Sequence, residues 1–146
     1  MSSHGRGVMD WALDCPSDTE YHEDAFLYFL DMERARAGRS NLPVQLLFAT
    51  LEPVPGKPVP IPPTDAGKLF EGLRVSLRET DIMGWYRQDR VAGAVLSARP
   101  DSPAPTPPGL IEQRVGEGLR RHLPEKAARS LRVRVIQLGP QRVLSA

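Results

Sequence analysis

Apolar residues recur at helical spacing in three stretches of the chain. The first stretch follows Ser17, which begins the S-x-x-E pattern of a helix-capping box, and its helix is expected to end near Gly38. The second stretch begins at Thr64 or Asp65, and the third at Thr106, just ahead of two prolines that suit a first helical turn. The buried faces predicted for these helices are, in chain order, Tyr21, Ala25, Tyr28, Phe29, Met32 and Ala35; Leu69, Phe70, Leu73 and Leu77; and Ile111, Val115, Leu119 and Leu123.

Other stretches have the patterns of β-strands. Residues 44–51 form an apolar run after a proline, which is typical of a short buried strand. Two strand-like runs, Ile82–Tyr86 and Arg90–Ser97, flank residues 87–89 and together predict a β-hairpin.

The last strand is predicted over residues 131–138, where apolar and polar residues alternate. This alternation places Arg132 and Arg134 on one face of a half-buried strand. The order helix, strand, helix, strand, strand, helix, strand predicts an α/β or α+β fold, with helices covering a small mixed sheet. The predicted core is Leu46, Phe48, Leu69, Leu73, Leu77, Val95, Ile111, Val115, Val133 and Val135.

Prolines are concentrated in residues 53–63 and residues 100–108. Proline fixes φ and lacks an N–H donor, so neither window is expected to be a helix interior or a central strand. We expect both windows to be extended, polyproline-like connections.

Composition and charge narrow the class of protein. The 146 residues suffice for one domain with a buried core, and we expect a flexible lead over residues 1–16 and a single domain over residues 17–142. A net charge of +1 predicts neither a nucleic-acid nor a membrane partner. No apolar run reaches the roughly 18 residues of a transmembrane helix, and without a secretory signal pattern the expected location is cytoplasmic. The lone cysteine and three scattered histidines predict no metal site, and we expect no cofactor.

Charge is unevenly distributed along the chain. Residues 1–31 contain seven acids and one base, whereas residues 110–142 carry a net charge of +5 from eight bases and three acids. The basic end is suited to a phosphate or an acidic partner, or else it complements the acidic start within the fold.

One short motif has the chemistry of a guanine site. Arg78 and Asp81 stand three residues apart, so their side chains can project from the same side of a helical turn. A guanidinium donates to O6 and N7 of guanine, and a carboxylate accepts from its opposite edge. The alternative is an exposed ion pair at a helix end, worth at most about 1 kcal/mol.

The segment from Leu77 to Leu96 resembles the centre of the GGDEF family, the diguanylate cyclases. In that family an L-R-x-x-D segment ends a helix, and a hairpin with the signature G-G-D/E-E-F and an apolar strand follow. Met32 to Arg39, followed by an apolar strand, is similar to the family's entry helix and first strand. The resemblance covers roughly residues 20–139. It implies a palm-like, ferredoxin-related fold in which helices flank a mixed sheet.

The chain departs from this family where the cyclase reaction needs specific residues. Glycines let a triphosphate approach the backbone, and the glycines of the signature are absent here. Thr50-Leu51-Glu52 stands where the family has the metal-binding D-x-D, and the prolines of residues 53–63 replace its substrate-binding run. We therefore expect a degenerate domain with no enzymatic activity, no catalytic residues and no bound metal. Only the acidic third position of the signature survives in the residues found there, which are Arg87, Gln88, Asp89, Arg90 and Val91.

In the GGDEF family the R-x-x-D segment is an inhibitory site that binds cyclic di-GMP away from the active centre. Carried over to Arg78 and Asp81, the resemblance implies a cyclic di-GMP receptor with a signalling role. If the carboxylate only caps a turn, the domain is instead a docking module for a protein partner. A third hypothesis is a nucleic-acid-binding module on a ferredoxin-like sheet that uses Arg132, Arg134 and Trp85. Neither strand involved matches the aromatic signature of an RNA-recognition motif.

Overall fold

The computed structural model describes residues 20–40, 42–78, 80–97 and 106–138, in which helices flank a five-stranded sheet. The flexible lead expected over residues 1–16 and the cap at Ser17 lie outside these residues. No helix within the described ranges is long and apolar enough to cross a bilayer. The elements are, in order, α1 (Glu23–Ser40), β1 (Val44–Val54), β2 (Lys57–Val59), α2 (Pro63–Ser76), β3 (Ile82–Arg87), β4 (Val91–Ser97), α3 (Pro108–His122), α4 (Glu125–Ser130) and β5 (Leu131–Leu138).

The sheet is built around β1. This strand pairs with β4 along residues 44–49 and with β5 along residues 44–51, while the short β2 pairs with its last residues. All pairings between the named strands are antiparallel, and β3 pairs with β4 as the expected hairpin. The α+β class is therefore confirmed, but the expectation of a mixed sheet is wrong for these strands. An isolated bridge between Tyr21 and Gly84 is parallel.

Each face of the sheet carries its own hydrophobic cluster. One face packs against α2, α3 and α4, and the other packs against α1. Of the predicted core, Leu46, Leu69, Leu73, Val95, Val115 and Val135 are buried, whereas Phe48, Leu77, Ile111 and Val133 are half-buried.

Two glycines bring α1 close to the sheet. Gly84 on β3 lies opposite Gly93 on β4, so this part of the sheet has no side chains. A Cβ atom at Gly93 would lie 2.9 Å from the ring of Phe26, and one at Gly84 would lie 2.6 Å from the carbonyl oxygen of Tyr21. The bare patch thus accommodates Phe26, which is fully buried.

The helical face predicted for α1 is correct at Ala25 but wrong at three other positions. Tyr28, Met32 and Ala35 are exposed, and the buried positions are Ala25, Phe26, Leu30 and Ala37. Tyr21 precedes the helix because its backbone N–H and C=O are bonded to Met83 and Trp85 of β3. With Phe26 seated on the bare patch, the helix is rotated away from the face that its sequence favours.

The first proline window is not a polyproline connection. β1 continues through Pro53, turns at Gly56, which has φ +83°, and returns as β2 with Pro58 inside it. A short edge strand tolerates proline because one side of it needs no donor. Residues 98–105, which hold most of the second window, lie outside the described residues.

The starts of α2 and α3 are formed by prolines. Pro62 and Pro107 occupy the cap positions of α2 and α3, and neither helix has a side-chain cap from Thr64, Asp65 or Thr106. A proline just before a helix already has a helical φ, and its missing N–H is not needed there.

Candidate functional site

Arg78 and Asp81 are held together in the turn between α2 and β3. The backbone N–H of Arg78 donates to Oδ2 of Asp81 (3.0 Å), and Nη2 of Arg78 donates to Oδ1 (3.3 Å). The backbone N–H of Asp81 donates back to the carbonyl of Arg78 (3.0 Å). The sequence therefore paired these residues correctly, but α2 ends at Ser76, so the pair lies in a turn rather than on the helix.

The two side chains of this turn differ in accessibility. The side chain of Arg78 is 37% exposed, whereas that of Asp81 is only 4% exposed. Both carboxylate oxygens accept hydrogen bonds from Arg78, so Asp81 acts as a cap for its own turn. To reach the carboxylate, a ligand must displace the longer of the two hydrogen bonds, the one from Nη2 of Arg78.

The signature positions of the hairpin form a structural turn. Arg87 ends β3, Val91 begins β4, and the N–H of Arg90 donates to the carbonyl of Arg87 (3.0 Å). Gln88 and Glu23 bond reciprocally: the N–H of Gln88 donates to Oε1 of Glu23 (2.6 Å), and the N–H of Glu23 donates to Oε1 of Gln88 (3.0 Å). The turn is thereby fastened to the first residue of α1.

Asp89, the surviving acid of the signature, also has a backbone role. Its φ is +65°, a left-handed conformation that aspartate tolerates better than most residues. Its carbonyl accepts a hydrogen bond from the N–H of Ile61 at 2.7 Å. The aspartate therefore lies where the hairpin turn needs a left-handed residue.

Glu52 near the end of β1 is a buried carboxylate with a complete set of donors. Its side chain is 1% exposed, and it receives Nη1 and Nη2 of Arg134 at 2.8 and 3.2 Å. The hydroxyl of Thr50 (2.7 Å) and the backbone N–H of Gly56 (3.0 Å) complete the set. Hydrogen bonding to Arg134, only partly opposed by burial, lowers the pKa of Glu52 from 4.5 to about 2.

The guanidinium of Arg134 occupies the coordination space of this carboxylate. A bidentate arginine leaves few lone pairs for a divalent cation. Among the residues that the structure describes, no group of three or more histidine, cysteine, aspartate or glutamate side chains is placed to hold a metal. The Glu52–Arg134 pair was not predicted, because the residues lie 82 positions apart and only the β1–β5 register brings them together.

The two candidate regions lie at opposite ends of β3. The Arg78–Asp81 turn precedes the strand, and the turn over residues 88–90 follows it. Six residues of strand separate the ends by roughly 17 Å. The Arg78–Asp81 turn and the hairpin turn are therefore two separate regions of the surface.

The third hypothesis, a nucleic-acid-binding module, relied on Trp85 as its aromatic residue, and this assignment is wrong. Trp85 is 4% exposed and packs edge-on against Phe70 with centroids 5.0 Å apart, so it is a core residue. Phe48 and Tyr86 lie on the opposite face of the sheet and are only half-buried. Sequence alternation alone did not reveal which ring of the Trp85–Tyr86 pair faces the larger core.

Two solved structures share the fold of this chain. No family model matches the chain, and no curated protein matches it. The chain is similar to the FimX GGDEF domain from Pseudomonas aeruginosa, with a TM-score of 0.59 and 19% identity over 88% of this chain and 82% of that one. It is also similar to a DGC protein from Thermotoga maritima, with a TM-score of 0.55 and 17% identity over 84% of this chain and 82% of that one. The chain has a GGDEF-like fold, as the resemblance in its sequence implied.

Proposed function

We propose that this chain is a non-catalytic GGDEF-like signalling domain that binds cyclic di-GMP through Arg78 and Asp81. The observation that carries the proposal is the paired guanidinium and carboxylate in the turn before β3 of a GGDEF-like fold. Arg78 is accessible enough to meet a ligand, and Asp81 is fixed in position by its backbone contact with Arg78.

The absence of cyclase activity is part of the proposal. Glu52 is neutralised by Arg134 rather than open to a cation. Gln88 and Asp89 are engaged in holding the hairpin turn to α1 and to the chain after β2. In this proposal these residues are occupied by contacts within the protein, so they do not bind a triphosphate and its metal.

Guanine can enter the turn by displacing the side-chain hydrogen bond between Arg78 and Asp81. The 3.3 Å contact from Nη2 of Arg78 is longer than the 3.0 Å backbone contact, and a partly exposed pair of this kind is worth at most about 1 kcal/mol. The guanidinium then donates to O6 and N7, and the carboxylate accepts from the N1–H and amino edge. The retained backbone bond keeps Asp81 in place during the exchange.

Calorimetric titration with cyclic di-GMP tests the ligand. Arg78→Ala is expected to weaken binding by about thirty-fold or more, since losing a desolvated charged partner costs about 2–5 kcal/mol. Arg78→Lys is not expected to restore it, because an ammonium lacks the bidentate fork. Arg121→Ala, which removes an exposed arginine from α3, is the matched charge control and should bind like the wild type.

Cyclic di-AMP is the ligand control, because adenine reverses the donor and acceptor at its six-position. It should bind much more weakly than cyclic di-GMP. If the wild type gives no heat at high micromolar ligand, or Arg78→Ala binds normally, the pair is only a turn cap. The domain is then better described as a docking module for a protein partner.

Incubation with GTP and magnesium tests the catalytic half of the proposal. We expect no cyclic di-GMP to form. Turnover well above background that is abolished by Asp89→Ala would show that the signature remains active despite its substitutions.

A further inference from the structure

Part of the sheet face that carries α1 is left open. α1 packs mainly against β3, and on the same face of β5 the side chains of Arg132, Arg134 and Ile136 are exposed. Ile136 is 43% exposed. The open area lies between α1 and the outer strand β5.

Two aromatic rings adjoin this open area. Phe48 on β1 and Tyr86 on β3 are half-buried and contact each other edge-to-face, with centroids 4.8 Å apart. Arg134 lies directly opposite Phe48 in the β1–β5 register, and Arg132 lies opposite Thr50. The guanidinium carbon of Arg87 lies 4.6 Å from the centroid of the Tyr86 ring. The two rings are therefore adjacent, with the guanidinium of Arg87 over Tyr86 and Arg134 beside Phe48.

The charge of this open face is positive. Its one buried acid, Glu52, is already paired with Arg134, whose side chain remains 52% exposed. Arg132 forms no salt bridge within the described ranges of the chain. The nearly neutral charge of the whole chain thus conceals a local cationic surface.

We infer that the open face, consisting of Phe48, Tyr86, Arg87, Arg132 and Arg134, binds single-stranded nucleic acid. Unpaired bases stack on aromatic rings and on guanidinium planes, while Arg87 and Arg132, which form no salt bridge among the described residues, neutralise the phosphates. An acidic protein segment would satisfy the arginines but would leave the rings without a planar partner. This binding surface is independent of Arg78 and Asp81, and it uses other rings than the buried Trp85.

Fluorescence anisotropy with a labelled single-stranded RNA of mixed sequence tests the inference on the full chain. Phe48→Leu and Tyr86→Leu keep apolar volume but remove the ring, and each is expected to weaken binding by about five-fold or more. Arg132→Ala should weaken binding and also lower the salt dependence, by roughly 0.7 in the slope of log affinity against log salt. Arg121→Ala removes an equal charge from α3 and should change neither quantity. Circular dichroism of each variant confirms that it is folded, and Tyr86→Leu serves if Phe48→Leu does not fold.

Three results would overturn the inference. The first is no binding of the RNA at low salt. The second is equal binding by the ring variants and the wild type, which would mean a general attraction of polyanions. The third is a labelled polyglutamate peptide that binds as tightly as the RNA, which would identify an acidic protein as the ligand instead. A duplex of the same sequence should bind more weakly than the single strand, because its bases are not available for stacking.

Discussion

Replacing Arg134 with methionine should expose the energetic role of the buried Glu52. The substitution keeps most of the aliphatic stem of the arginine but removes the guanidinium that supplies two of the four hydrogen bonds to the carboxylate. A carboxylate whose side chain is 1% exposed would then keep only the Thr50 hydroxyl and the Gly56 N–H as donors. Loss of one partner from a buried pair costs about 3–5 kcal/mol.

The pKa gives a second measure of the same interaction. A fall from 4.5 to about 2 corresponds to roughly 3 kcal/mol of stabilisation of the charged form of Glu52. Since the side chain of Arg134 is 52% exposed, water weakens the pair and replaces part of the lost contact. We therefore expect Arg134→Met to lower the free energy of unfolding by about 2–3 kcal/mol at neutral pH, as measured by urea denaturation.

The dependence on pH distinguishes this mechanism from lost packing. In the wild type the pKa of Glu52 is depressed. The contribution of Glu52 to the free energy of unfolding is therefore complete above about pH 4.5 and disappears as the pH falls toward about 2. In Arg134→Met the carboxyl is buried without its cation, so it can take up a proton at a higher pH and relieve the penalty. The gap in stability between wild type and variant should therefore narrow between about pH 6 and about pH 3.

Arg132→Met is the matched control for this experiment. Arg132 lies on the same face of β5, is exposed, and should cost less than about 0.5 kcal/mol when replaced. The reasoning is refuted if Arg134→Met costs no more than Arg132→Met, or if its cost is the same at neutral and acidic pH.

Three further substitutions test the packing by urea denaturation. Leu73→Ala should cost about 2–5 kcal/mol, because this fully buried leucine lies between the sheet and α3, and a loss below about 0.5 kcal/mol would contradict that position. Gly84→Ala should cost about 1–3 kcal/mol, since the new Cβ would lie 2.6 Å from a backbone oxygen, whereas Gly67→Ala in α2 meets nothing within 4 Å and should stabilise by about 0.5–1 kcal/mol. Equal effects of the two glycine substitutions would contradict the close approach of the Tyr21 backbone to Gly84. Gln88→Ala should cost about 1 kcal/mol by leaving the N–H of Glu23 without its acceptor, and no loss would show that water replaces this bond.

The sequence predicted the elements whose pattern is set by local burial. Leu69 and Leu73 repeat at helical spacing, and both are fully buried on α2. The alternation in β5 correctly placed Arg132 and Arg134 on the exposed face. These predictions succeeded because one face of each element meets a single core.

The predictions that failed depended on tertiary contacts. The buried face of α1 is set by the fit of Phe26 against glycines on two other strands, which no pattern within the helix encodes. The strand β2 was missed because prolines argue against a strand unless the strand is known to be short and at an edge.

The candidate site was also predicted only where its residues are close in sequence. Arg78 and Asp81 are neighbours in sequence, so their pairing followed from spacing alone, although their place in a turn did not. Glu52 and Arg134 form a better-hydrogen-bonded pair, but their contact depends on the register of two strands at distant points of the chain. Local motifs are therefore visible in the sequence, whereas a pair assembled by the sheet is not.

The order in which the strands of the sheet are synthesised has a consequence for how the protein folds. β1 is synthesised well before its partner β5, and residues paired between them include Val44 with Leu138. Until β5 emerges from the ribosome, the long apolar strand β1 has one edge without its final partner, and Glu52 lacks its arginine. A fold dominated by such distant pairings nucleates slowly, because closing the long loop costs entropy before the contacts compensate for it. A nascent chain arrested before residue 131 should therefore expose an unpaired edge of β1 that can pair with other chains.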